Sequence, residues 1–161
     1  MSRHIRIRES QSGLNARVRL LDGMAPRSAE ALWRLAGTGD TYEAIHAIWT
    51  GPEISCPIPA SRLPTQIDVS DLPLQNATTF PEQGDVAMVY VPVNTWRGQP
   101  PFDFLDIGLF YGGGARLLMP MGWIQVSVCG RVVDEDLAAV SGACQSIRRR
   151  GVCQLSFLQD P

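Results

Sequence analysis

A chain of 161 residues with 45% hydrophobic side chains can bury one proper core, and its 15 glycines and 12 prolines favour short strands and many turns over long helices. A formal net charge of −2 argues against a nucleic-acid-binding surface. All 14 basic residues are arginine, which removes a Schiff base to pyridoxal phosphate and the lysine of a phosphate-binding loop, and leaves cationic recognition to the planar guanidinium.

The alternation of His4–Glu9 predicts an edge strand, and Leu14 to Leu20 repeats it with Leu14, Ala16, Val18 and Leu20 on one side. Gln11-Ser12-Gly13 makes the two a hairpin. A helix follows, with Pro26 in its first turn, Ala29, Leu32, Leu35 and Ala36 on one face, and Gly37 and Gly39 ending it. Tyr42 to Trp49 reads as a strand. Residues 51–75, with Pro52, Pro57, Pro59, Pro64 and Pro73, read as a long ordered loop across one end of a barrel, because proline does not suit a central strand.

Further strands are expected over Asp85–Val91, Asp106–Tyr111 and Trp123–Val133, with a loop over 92–102. In the last strand, alternation assigns Ile124, Val126 and Val128 to the core and Trp123, Gln125, Ser127 and Cys129 to the opposite face. The second helix starts at Asp134 as N-cap, carries Leu137, Val140, Cys144 and Ile147 on one face, and stops at Gly151. The run Arg148-Arg149-Arg150 suits the negative end of that helix better than a phosphate patch. Val152 to Phe157 is the final strand.

This is one mainly β domain over residues 1–161 with two helices. About eight short strands close into a barrel whose open ends the helices plug or flank. Cys56, Cys129, Cys144 and Cys153 include no CxxC pair and there are two histidines, so no metal site and no cofactor is expected. The opening MSRHIRIRES is alternating and charged, unlike a signal peptide, and no apolar run reaches membrane-spanning length. The expected setting is the cytoplasm, with reduced thiols and no membrane partner.

Within that order of elements stand the words A-I-H-A-I-W-T-G-P-E (Ala44 to Glu53), Q-N-A-T (Gln75 to Thr78), P-E-Q-G-D-V (Pro81 to Val86) and L-F-Y-G (Leu109 to Gly112), and a final R-R-G-V-C-Q-L. On these the chain resembles the cyclophilin-like proteins of unknown function grouped as DUF3830, from Leu14 to Leu158. The resemblance implies a cyclophilin-like closed β-barrel. True cyclophilins isomerise X–Pro bonds with an arginine, a glutamine and aromatic residues around a hydrophobic pocket. The stretch that carries those groups is missing here: Tyr42 to Trp49 holds no arginine and Ile54 to Pro59 no glutamine. Other relatives of the fold, in bacterial enzymes, open cyclic amides and ureas.

His46 is the natural candidate for a general base, because imidazole titrates near neutral pH. Glu53 would orient it if the two are close, and Tyr111 completes the candidate catalytic set. Trp49 offers a flat wall. Asn76 and Thr78 are polar groups for a barrel mouth, and Trp96 and Arg97 could form a lid over an anionic ligand. Gly112 and Gly113 would let a ligand approach backbone, and Gln125 could meet one from the last-but-one strand. Asp103 and Asp106 point to opposite faces of an extended chain and are rejected as a pair, which leaves Asp106 alone as a candidate.

Three functions stay open. The first is binding or transformation of a small polar metabolite (amide, lactam or carboxylate) at the barrel end, by a hydrolase or isomerase with His46 as base. The second is a non-catalytic subunit of an assembly, the apolar content allowing a homo-oligomer. The third is a prolyl isomerase or peptide binder.

Overall fold

The computed structural model describes residues 2–161. Its strands are β1 (His4–Glu9), β2 (Leu14–Leu20), β3 (Thr41–His46), β4 (Glu53–Pro59), β5 (Ala77–Thr78), β6 (Asp85–Val91), β7 (Phe104–Phe110), β8 (Leu118–Met119), β9 (Gly122–Trp123), β10 (Val126–Val132) and β11 (Val152–Asp160). Helix α1 covers Pro26–Ala36 and α2 covers Leu137–Arg150. Eight strands form a closed antiparallel barrel in the order β2-β1-β11-β3-β4-β7-β6-β10, with β10 pairing back to β2. Closure removes every long free edge. The short β5 adds to β10, and β8 and β9 form a separate hairpin.

The alternation in β1 and β2 sends Ile5, Ile7, Leu14, Ala16 and Val18 inward, all buried. The apolar faces of both helices join the same core: Ala29, Leu32 and Leu35 from α1, Val140, Cys144 and Ile147 from α2. Gly151 ends α2 with φ +84°, a conformation that favours glycine. Asp134 opens a 3₁₀ turn instead of capping α2, and the Asp136 carboxylate accepts the Arg17 backbone N–H across the domain at 2.8 Å.

Two expectations need correction. Residues 53–59 are not loop but β4, a strand between β3 and β7 that carries Pro57 and Pro59. Ala47 N–H donates to Glu53 O, and Ala60 N–H to Asp103 O. Odd-numbered residues of β4 therefore address β3 and even-numbered ones address β7. Pairing with β3 stops at Ser55, so the two prolines lack a donor only where no acceptor waits. Of the expected loop, residues 51–52 and 60–75 remain irregular, the latter with two short 3₁₀ turns. Pairing in β3 ends at His46, which places Trp49 in a bend.

The second correction concerns β10, which begins at Val126 and bulges between Val128 and Gly130. Cys129 is fully buried in the barrel core. Val126 and Val128 instead join a smaller apolar cluster outside the barrel, with Ala87, Phe110, Ala115 and Leu117. Alternation could not tell the faces apart because both are covered here.

Candidate functional site

That outer cluster borders a cavity of about 580 Å³ on the outer wall of the barrel. Its floor is the outward face of β3, β4, β7 and β6, and strand alternation decides which side chains reach it. Ile45 of β3, Glu53 and Ser55 of β4, Asp106 of β7 and Val89 of β6 point into it, and the bare backbone of Gly108 lines it between them. Their neighbours Ala44, Ile54, Ile107 and Met88 point into the core. The bend after β3 contributes Trp49 and Thr50, the loop after β6 contributes Trp96 and Phe102, and the segment with the β8–β9 hairpin contributes Leu117 and Met119. Trp96 is held edge-on against Phe104, with ring centroids 6.2 Å apart.

Two carboxyls stand on this apolar floor. Glu53 is opposite Phe110 and Asp106 opposite Pro57, so they share one face of neighbouring strands on a diagonal across Ser55 and Gly108. Glu53 is buried, at 5% exposure, and its Oε2 accepts the Thr50 hydroxyl. Asp106 is half-buried, and its Oδ1 accepts the Ser55 hydroxyl at 2.7 Å. Burial pushes the Glu53 carboxyl well above the usual range, and repulsion from Asp106 pushes it further, against the Thr50 hydrogen bond. Burial likewise raises Asp106, against the Ser55 hydrogen bond. Two such groups hold one proton between them near neutral pH.

Gly108 makes this arrangement sterically feasible. A Cβ at that position would overlap Glu53 Oε1 and come within 3.0 Å of Phe110. Gly108→Ala should therefore drive Glu53 off the floor and destabilise the fold by about 1–3 kcal/mol at pH 6. Urea unfolding of the two proteins at that pH measures it, and an unchanged midpoint would contradict the packing described.

The sequence-derived candidates divide between different places. His46 and Tyr111 do meet, with the Tyr111 hydroxyl donating to His46 Nε2 at 2.7 Å and His46 Nδ1–H donating to the Ala47 carbonyl at 2.9 Å. The tautomer is assigned from these partners. His46 shares its face of β3 with Tyr42 and Ala44, whereas Glu53 projects to the other side of the sheet. Glu53 therefore cannot orient His46, and neither His46 nor Tyr111 lines the cavity. Burial lowers the imidazole pKa against the Ala47 hydrogen bond, and Arg148 adds to the lowering. Burial raises the Tyr111 hydroxyl.

Trp49 and Trp96 are cavity walls. Asn76, with φ +47°, donates its side-chain amide to the Val128 carbonyl at 3.0 Å, and Thr78 Oγ1 accepts the Phe80 N–H at 3.0 Å. These two border a separate depression near Arg19 and Arg131. Arg97 and Gln125 are exposed and outside the cavity wall. Gly112 sits against Pro52, and Gly113 is an exposed bend.

Thr50, Ser55 and Gly108 escaped the sequence reading. A usable signal existed for the acids: Glu53 in P-E-I-S-C and Asp106 in F-L-D-I-G-L are carboxylates inside apolar strands. Among the described residues no cluster of three or more His, Cys, Asp or Glu side chains could hold a metal ion, and no helix is long and apolar enough to cross a membrane.

Comparison with solved structures places the fold. McbB in complex with tryptophan superposes with a TM-score of 0.68 at 17% identity, over 97% of this chain and 44% of that one. This chain thus spans less than half of McbB. A hypothetical protein from Archaeoglobus fulgidus matches with a TM-score of 0.51 at 19% identity, over 99% and 95% of the two chains. A cyclophilin-type peptidyl-prolyl cis-trans isomerase from Cryptosporidium parvum gives 0.51 at 11% identity, over 100% and 99%. At such identities the likeness is one of fold, and the fold is cyclophilin-like. No curated protein matches in sequence. The sequence does match, over residues 7–159, the family described as "Protein of unknown function (DUF3830)", and with its cyclophilin-like barrel the chain belongs to that family.

Proposed function

We propose that this protein binds a small organic molecule in the cavity on the outer wall of the barrel and transfers a proton to or from it through Glu53 and Asp106. The observation that carries this reading is the carboxyl pair, of raised proton affinity, on the floor of an otherwise apolar cavity. A volume of about 580 Å³ falls in the range of roughly 300–1,000 Å³ usual for small-molecule sites. Two carboxyls whose surroundings separate their proton affinities can serve as acid and base in one turnover. The half-buried Asp106 is the accessible base, and the buried Glu53 holds the proton. His46, with its Nε2 already accepting from Tyr111, takes no part. The presence of tryptophan in McbB supports a ligand of that size on this fold.

The test is thermal unfolding against a panel of amides, lactams, amines and carboxylates, run beside Val89→Trp, which fills the cavity. Some member should raise the wild-type Tm by several degrees, as about 1–3 kcal/mol of binding linkage would, and leave the filled variant unmoved. A flat panel, or equal shifts in both proteins, would refute a ligand site here.

A further inference from the structure

The charged groups on the floor of this cavity are one-sided in sign. Its ionisable side chains are Tyr42 and Glu43 from β3, Glu53 from β4, Asp106 from β7 and Arg62 from the turn after β4, and burial keeps the Tyr42 phenol neutral. Among the described residues no titratable side chain faces it from β6, β10, the loop of Trp96 or the β8–β9 segment. Among the described residues the one cation of the lining is already engaged: Arg62 donates to the Thr41 carbonyl at 3.4 Å and stacks over the Tyr42 ring at 5.1 Å. The hydroxyls of Thr50 and Ser55 spend their protons on the two acids. What the floor offers an incoming molecule is therefore carboxyl oxygens carrying net negative charge and the one proton they share, and the walls offer the indole rings of Trp49 and Trp96.

We infer that the cavity selects molecules carrying a protonated amine on a flat apolar body over neutral or anionic molecules of the same shape. A ligand carboxylate would meet like charge, and a ligand carbonyl could take only the one proton that the pair shares. An ammonium group supplies the missing donors, and a charge-assisted hydrogen bond is roughly twice as strong as a neutral one. The same charge gains further from aromatic walls within reach. Uptake has a proton consequence. An ammonium ion between the acids favours their fully ionised form, so the proton they share near neutral pH leaves to solvent as the ligand enters. Affinity for the amine should therefore climb as pH rises through the pair's titration and then level off.

This inference rests on the cavity being a small-molecule site, and the experiment separates the two claims. Calorimetric titration would use matched triads: tryptamine, 3-ethylindole and indole-3-propionate, and phenethylamine, ethylbenzene and 3-phenylpropionate. Each would be run in phosphate and in Tris, whose protonation enthalpies differ. At pH 7 one amine should bind at least about tenfold tighter than both isosteres and release protons. The Glu53→Gln/Asp106→Asn double variant should retain binding of the neutral isostere and lose the preference. If the double variant fails to fold, either single variant should cut the preference at least about threefold.

A neutral or anionic member binding as tightly as its amine overturns the charge selection and leaves the cavity standing as a ligand site. A preference that survives in the folded double variant overturns the assignment to these acids. Binding by no member of either triad overturns both claims.

Discussion

Replacing Glu53 with glutamine is expected to stabilise the protein at pH 9 by on the order of 2–4 kcal/mol. The folded-state proton affinity of Glu53 lies above its ordinary value of 4.5, burial being the first cause and Asp106 the second. The folded chain therefore holds a proton that the unfolded chain releases. The stabilising effect of that proton is complete below about pH 4 and is lost as pH rises through the raised folded value. Glutamine keeps the volume and an acceptor for the Thr50 hydroxyl and has nothing to ionise. Urea unfolding across pH 5–9 should show wild-type stability falling with pH, and a flatter curve for Glu53→Gln. A wild-type curve that rises over that range would show that Glu53 is not held protonated. Any turnover assigned to the cavity should also fall about 10²–10⁴-fold in this variant, the usual size of a lost acid–base step.

Glu9→Gln should act in the opposite direction, costing about 2–4 kcal/mol at pH 7. Glu9 ends β1 and is 5% exposed. Its carboxylate accepts the backbone N–H of Gln11 at 3.3 Å and of Ser12 at 2.7 Å, and pairs with both terminal nitrogens of Arg150 at 2.9 and 3.3 Å. Burial acts to raise its proton affinity, but the Arg150 and Ser12 bonds outweigh burial and lower it to about 2. That stabilisation is complete above about pH 4.5 and disappears as pH falls towards 2. The difference between wild type and variant should accordingly shrink in urea titrations as pH drops from 7 to 3. An unchanged difference would show that the bonds, and not the charge, are what matter. The pair also explains part of the terminal arginine run: Arg150 ties the end of α2 to the β1–β2 turn, a more specific task than favouring a helix end.

Strand and helix existence was legible from local pattern. The β1–β2 hairpin, both helices and β6 lie where alternation, helical spacing and glycine stops placed them, because those signals depend on near neighbours. Errors arose where a second layer covers the barrel. Pro57 and Pro59 argued against a strand, and only the point at which β3 and β4 separate makes them acceptable. The apolar run from Val126 to Cys129 gave no sign of which face was the core, since a cavity wall and a barrel interior use the same residue types.

Local sequence determined a small, all-arginine, β-rich chain with two amphipathic helices, and its short words carried the resemblance to the family. Which acids meet was decided by tertiary structure alone. Glu53 and Asp106 are 53 positions apart in the chain, and only the β4–β7 register, with a glycine left between them, brings both onto one floor. Alternation put His46 on the opposite side of that sheet, a separation that proximity in sequence could not reveal, because adjacent strands are chosen by barrel closure and not by chain order.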